Sequence, residues 1–224
     1  MGTDVSWWSS FVTYLQFTWR DVVQLAIDHV VVVVISVAIA TVVGVALGVA
    51  TYRTDRPREL VLAVTGTILT IPSLALFGLF LGIPGLGLGS RSVVVALVLY
   101  GLLPIVRNTI VGLREVDPAV VESAQGMGMG RTQRLLRIEL PLAWPVIVTG
   151  MRVSTLILIG IAAIGAYIQG PGLGQLIFSG LSEIGSATAL NEVLAGTAGV
   201  IVLAVLFDLV YVVISRLTIR RGIR

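Results

Sequence analysis

Long apolar runs alternate with short polar breaks along this chain, and the runs are of membrane length. Valine fills positions 30–34, and nothing charged follows until Arg53. Crossing the ~30 Å hydrocarbon core of a bilayer takes about 20 apolar residues at the helical rise. Five runs meet that length, at about 27–50, 60–83, 92–113, 145–168 and 193–214. An all-α polytopic membrane protein with five transmembrane helices is therefore expected, since a helix satisfies its own backbone groups in lipid. The pattern divides into an N-terminal segment 1–22, a transmembrane domain 23–215 and a basic tail 216–224.

The residues within and between the runs add detail. Trp7, Trp8, Phe11, Tyr14, Phe17 and Trp19 give segment 1–22 the character of an interfacial helix, because amphipathic rings prefer the headgroup level. No basic residues precede them, which argues against a signal peptide. Asp28 and His29 stand at the outer edge of the first run and read as a solvated helix end rather than a proton relay. The second run holds Thr70-Ile71-Pro72-Ser73, where proline frees a carbonyl and kinks the helix, for packing or for gating. Positions 84–90, P-G-L-G-L-G-S, form a glycine loop without the lysine of a nucleotide-binding loop. Gly150, Gly160 and Gly165 in the fourth run allow close helix approach. Segment 169–191 is long and mostly uncharged, and a short re-entrant or surface helix is expected there.

The stretch 114–141 is the one long polar interruption, and it must form structure outside the bilayer. Asp117 can cap a helix that starts at Pro118, where the missing N–H costs nothing. Gly126, Gly128 and Gly130 should break that helix. A second short helix is expected from about 132 to 140, ended by Pro141. The prediction is a hairpin of two short helices around a glycine turn.

Composition narrows the chemistry. Hydrophobic residues make up 56% of the chain and charged residues 12%, about half the charge of a soluble domain. There is no cysteine and one histidine, so neither a thiolate nor a histidine-cluster metal site is expected. All fifteen basic residues are arginine. No residue set looks catalytic, and no cofactor is expected in this chain. With the N-terminus outside, Arg53, Arg56, Arg58, Arg107, Arg114, Arg131, Arg134, Arg137, Arg216, Arg220, Arg221 and Arg224 fall on the cytoplasmic side. Only Arg20 and Arg91 fall outside, a strong positive-inside bias that puts 114–141 in the cytoplasm. Arg152 and Asp208 remain within the spans, both toward the cytoplasmic half. Charge in hydrocarbon is costly, so the two are expected to pair across adjacent helices. Such a pair either holds the bundle or lines the path.

The polar stretch also carries a resemblance. Glu122, Ala124, Gly128, Ile138, Leu140 and Pro141 stand at the spacing E-x-A-x-x-x-G, nine residues, I-x-L-P. This resembles the EAA loop of ABC-importer permease subunits, with Ser123 where the family usually has alanine. T-I-P-S-L-A-L-F-G from Thr70 and Q-G-P-G-L-G-Q-L-I-F-S-G-L from Gln169 resemble permeases for glycine betaine, choline and carnitine. The resemblance implies a type I importer core whose hairpin docks into a cytoplasmic ATPase. It also implies a second permease subunit and an extracytoplasmic substrate-binding protein, in a bacterial or archaeal inner membrane. ATP and magnesium would be used by the ATPase alone. Nucleic acid is not an expected partner. An amino-acid or methionine importer permease shares the loop, and a self-contained secondary transporter or channel is the rival of another class.

Overall fold

A computed structural model describes residues 7–218, and the chain within those bounds is helical. Most of the basic tail, with Arg220, Arg221 and Arg224, lies outside the described residues, as does the start of the N-terminal segment. Helix α1 runs unbroken from Trp7 to Thr51. At 45 residues it rises about 67 Å, more than twice the hydrocarbon core, and no break separates the aromatic segment from the first apolar run.

The second run is not one helix. Helix α2 (Asp55–Thr70) and helix α3 (Ser73–Phe80) are bent by 94° at the Ile71-Pro72 break. Proline was expected to kink this span, but both Ile71 and Pro72 leave the helix for extended backbone. The freed Ile71 carbonyl accepts the Tyr100 hydroxyl at 2.7 Å. Four helices are long and apolar enough to cross a membrane singly, and the bent pair makes a fifth only if it crosses as one broken span. Helix α4 (Ser90–Arg114) matches the third run closely.

Helix α5 (Pro118–Gly126) and the short α6 (Arg131–Arg134) flank the glycine turn. The expected stop at Pro141 is wrong. A π turn (Leu135–Glu139) follows α6, and α7 (Leu140–Ile164) continues through Pro141 and Pro145. In the π turn the Leu140 N–H reaches back to the Leu135 carbonyl, one residue further than in an α-helix. That extra residue takes up the crowding which proline imposes on the turn before it. The helix of the fourth run therefore starts before residue 145. A 3₁₀ turn (Gly165–Ile168), helix α8 (Gly174–Ser182) and helix α9 (Ala189–Thr218) complete the chain. Helix α8 is the short helix expected in 169–191.

The long helices contribute to two compact units. One comprises residues 1–36, 72–97 and 158–206, described from Trp7 onward. Phe77, Val33, Val93, Leu158 and Leu173 are fully buried in it. His29 belongs to this core as well, against the expectation of a solvated helix end: it is 1% exposed. Its Nε2 donates to the Ile159 carbonyl at 3.1 Å, and Gly172 lies against its ring. The other unit comprises 37–71, 98–157 and 207–224, described as far as Thr218. Its core joins Tyr52, Leu102, Val106, Ile110, Leu113, Ala143 and Ile147. Gly150 lets α7 close on α4, since a Cβ there would stand 2.7 Å from the Pro104 carbonyl oxygen. Gly165 likewise abuts Val93, whereas Gly160 faces open space and makes no close approach.

Candidate functional site

The hairpin forms as its residues dictate. Asp117 Oδ1 accepts the Ala119 N–H at 2.8 Å and caps α5, with Pro118 in the first turn. At the far end Gly128 takes φ +83°, a left-handed geometry that costs L-residues energy. The Gly128 N–H bonds the Gln125 carbonyl and the Met129 N–H bonds the Ala124 carbonyl, closing the turn. Glu122 and Gly128 are exposed, while Ala124 is buried. Ile138 sits in the π turn, with Leu140 and Pro141 at the start of α7. The six positions thus occupy both arms of one hairpin. Met127, 70% exposed, marks its tip.

Sequence reasoning missed what holds this hairpin. Glu139, in the π turn, is 2% exposed. Its Oε2 accepts the Tyr52 hydroxyl at 2.6 Å. Its Oε1 accepts Arg53 Nη2 at 2.8 Å and Arg134 Nε at 3.1 Å. Arg134 in turn gives Nη1 to Gln125 Oε1 on α5 at 3.3 Å. A buried carboxylate is costly unless charged and neutral donors both reach it, and here they do. Burial pushes the Tyr52 hydroxyl up to about 12, helped by its bond to Glu139, so it stays a donor at physiological pH. The end of α1, the π turn and α5 are thereby linked through one carboxylate. Glu122, Arg114 and this cluster line a cleft of about 350 Å³.

The signal was weak but present. Glu139 is an acid set between Ile138 and Leu140, where the next stretch becomes apolar. Its helical partner lies five residues back, a spacing that no α-helical reading pairs.

Arg152 and Asp208 do come together. Arg152 Nε and Nη2 meet the two Asp208 oxygens at 2.6 and 2.7 Å, a bidentate bond between α7 and α9. One turn along the same helices, Tyr211 and Thr155 hydroxyls stand 2.8 Å apart. The paired side chains keep 42% and 34% exposure, so the bond lies on a face of this unit and not in its core. Among the described residues, no group of three or more acids, histidines or cysteines could hold a metal ion.

Known proteins share this architecture. Two inward-facing crystal forms of the MetNI methionine ABC transporter match the fold, with TM-scores of 0.75 and 0.78 at 23% and 24% identity. The second covers 92% of this chain and 99% of that one. Among curated proteins, the choline transport system permease protein OpuBB of Bacillus subtilis is 37% identical over 92% of each chain. The glycine betaine/carnitine/choline permease OpuCD of the same organism is 40% identical over 88% of this chain and 84% of its own. The osmoprotectant import permease OsmW of Salmonella typhimurium is 38% identical over 83% of this chain and 86% of its own. Residues 40–220 match the family of binding-protein-dependent transport system inner membrane components. With relatives of that identity along most of its length, the chain belongs to this family of multi-pass inner-membrane transport subunits.

Proposed function

We propose that this chain is one of two permease subunits that line the path of an ATP-driven importer for a quaternary-amine osmoprotectant. The observation that carries the reading is the hairpin of α5, turn and α6, which is locked to the end of α1 by Glu139. Such a device suits transmission of force from a soluble motor into membrane helices. ATP and magnesium are used by cytoplasmic ATPase subunits that grip the hairpin tip. Closure of the ATPase pair pulls on the hairpin, and the Glu139 cluster passes that pull to α1 and α7. The arginine bias supports an N-terminus outside and a cytoplasmic hairpin and tail.

The substrate class follows the names of the relatives, which are permeases for choline, glycine betaine, carnitine and osmoprotectants. The likeness to a methionine transporter extends to the fold alone. Selection of the amine falls to an extracytoplasmic binding protein, where aromatic rings hold the cation. The test is reconstitution of the chain with the ATPase and binding protein that co-purify with it. ATP-dependent uptake of choline, glycine betaine or carnitine supports the reading. Uptake of methionine alone, or uptake of any solute without the ATPase, overturns it.

A further inference from the structure

The unit built from residues 1–36, 72–97 and 158–206 contains a pocket of about 670 Å³ that the coupling reading does not use. It opens between one side of α1 and the start of α9, with Ser10, Tyr14, Phe17, Thr188, Asn191 and Glu192 in its lining. Among the described residues, Glu192 is the one charged residue lining it. Glu192 Oε2 is buried and accepts no hydrogen bond from the described residues. Buried polar atoms are almost always satisfied, so a carboxylate oxygen with no donor among the described residues is free to take one from a ligand. Asn191 does not supply it, since its Nδ2 donates to Ser10 Oγ at 2.9 Å. Glu192 stands in the first turn of α9.

A carboxylate among aromatic rings and hydroxyls is matched best by a ligand that carries positive charge. A hard metal ion asks for several oxygen ligands, which one acid among hydroxyls does not provide. An alkylated ammonium asks for less: one counter-charge, aromatic surface and room. Glu192 supplies the first, and Tyr14 and Phe17, three apart on α1, supply the second. We infer that this pocket binds a small ammonium group, with Glu192 as its counter-charge. The inference deepens the quaternary-amine reading and rests on it for the choice of ligand. A net cation such as choline fits better than a zwitterion, whose own carboxylate would meet Glu192. A lipid amine headgroup shares the same chemistry, and the experiment separates the two.

The full-length chain is placed in nanodiscs of phosphatidylglycerol alone, where no lipid amine competes, and binding of radiolabelled choline is measured. Saturable binding is expected, weakened about tenfold or more by Glu192→Gln and roughly two- to fivefold by Phe17→Leu. Glu192→Asp keeps the charge and is expected to retain part of the affinity, which controls for misfolding. Glycine betaine should displace choline less well than tetramethylammonium does. Absence of binding to the wild type, or equal binding by the Gln variant, overturns the site. Loss of choline binding when phosphatidylcholine is added to the discs assigns the pocket to lipid and overturns its role for a free amine. Uptake of choline by the complete system without binding to this chain defeats the site and leaves the substrate reading intact. Glu192-dependent binding without uptake of any quaternary amine does the reverse.

Discussion

The Tyr52 hydroxyl donates to Glu139 at 2.6 Å across 87 positions of sequence, and so joins the residue that follows α1 to the π turn that leads into α7. Arg53 and Arg134 both pair with the same carboxylate. Helix α1 cannot shift against the hairpin without breaking bonds to a side chain that is almost wholly buried. We regard this carboxylate as the point where the hairpin's motion enters the membrane helices.

Glu139→Gln should therefore be severe. It leaves Arg134, with 10% side-chain exposure, beside a neutral amide, and removing one partner of a buried pair costs about 3 kcal/mol or more. Tyr52→Phe removes one hydrogen bond and keeps the charges, at a cost of about 1–2 kcal/mol. Thermal unfolding of the purified chain should rank Glu139→Gln well below Tyr52→Phe. The same variant should also lower transport per ATP hydrolysed in reconstituted vesicles.

Much of this fold was legible because membrane length is a simple signal. Valines at 30–34 and the cap at Asp117 each pointed to one structure. What stayed hidden depended on partners distant in sequence. His29 reads as a helix edge until the Ile159 carbonyl and Gly172 are brought to it by the fold. Pro141 reads as a stop until the π turn relieves it. The six hairpin positions from Glu122 to Pro141 could be aligned by spacing, whereas Glu139 required the contact with Tyr52 and Arg53.

Two glycines of α4's neighbour α7 should behave oppositely. Gly150→Ala drives a methyl into the Pro104 carbonyl and Asn108 Cβ, both 2.7 Å from the added atom. Overpacking of this kind costs about 1–3 kcal/mol. Gly160→Ala meets nothing within 4 Å and improves helix propensity by about 1 kcal/mol. Melting temperatures of the two variants, measured side by side, check the helix contact.

The break between α2 and α3 relies on Tyr100, which is 2% exposed. Tyr100→Phe leaves the Ile71 carbonyl without that donor, at a cost of about 1–3 kcal/mol. Protease susceptibility at residues 70–73 should rise in the variant. An unchanged digestion pattern would mean that Pro72 holds the break unaided.

Arg152 and Asp208 call for a charge swap. Asp208→Asn and Arg152→Gln should each impair transport, and the reversed pair Arg152→Asp with Asp208→Arg should recover assembly of the subunit. Recovery of transport as well assigns the pair a bridging role. Assembly without transport assigns it to the path. Normal transport by both single variants would remove either role.

The central claim is that the hairpin tip meets the ATPase. The chain contains no cysteine, so single cysteines can be placed without background. Met127→Cys at the tip and Ile184→Cys, 80% exposed between α8 and α9, are labelled with a photoactivated crosslinker in vesicles holding the whole transporter. The account predicts an adduct with the ATPase subunit from position 127 and none from position 184. An ATPase adduct from position 184, with none from 127, would contradict it.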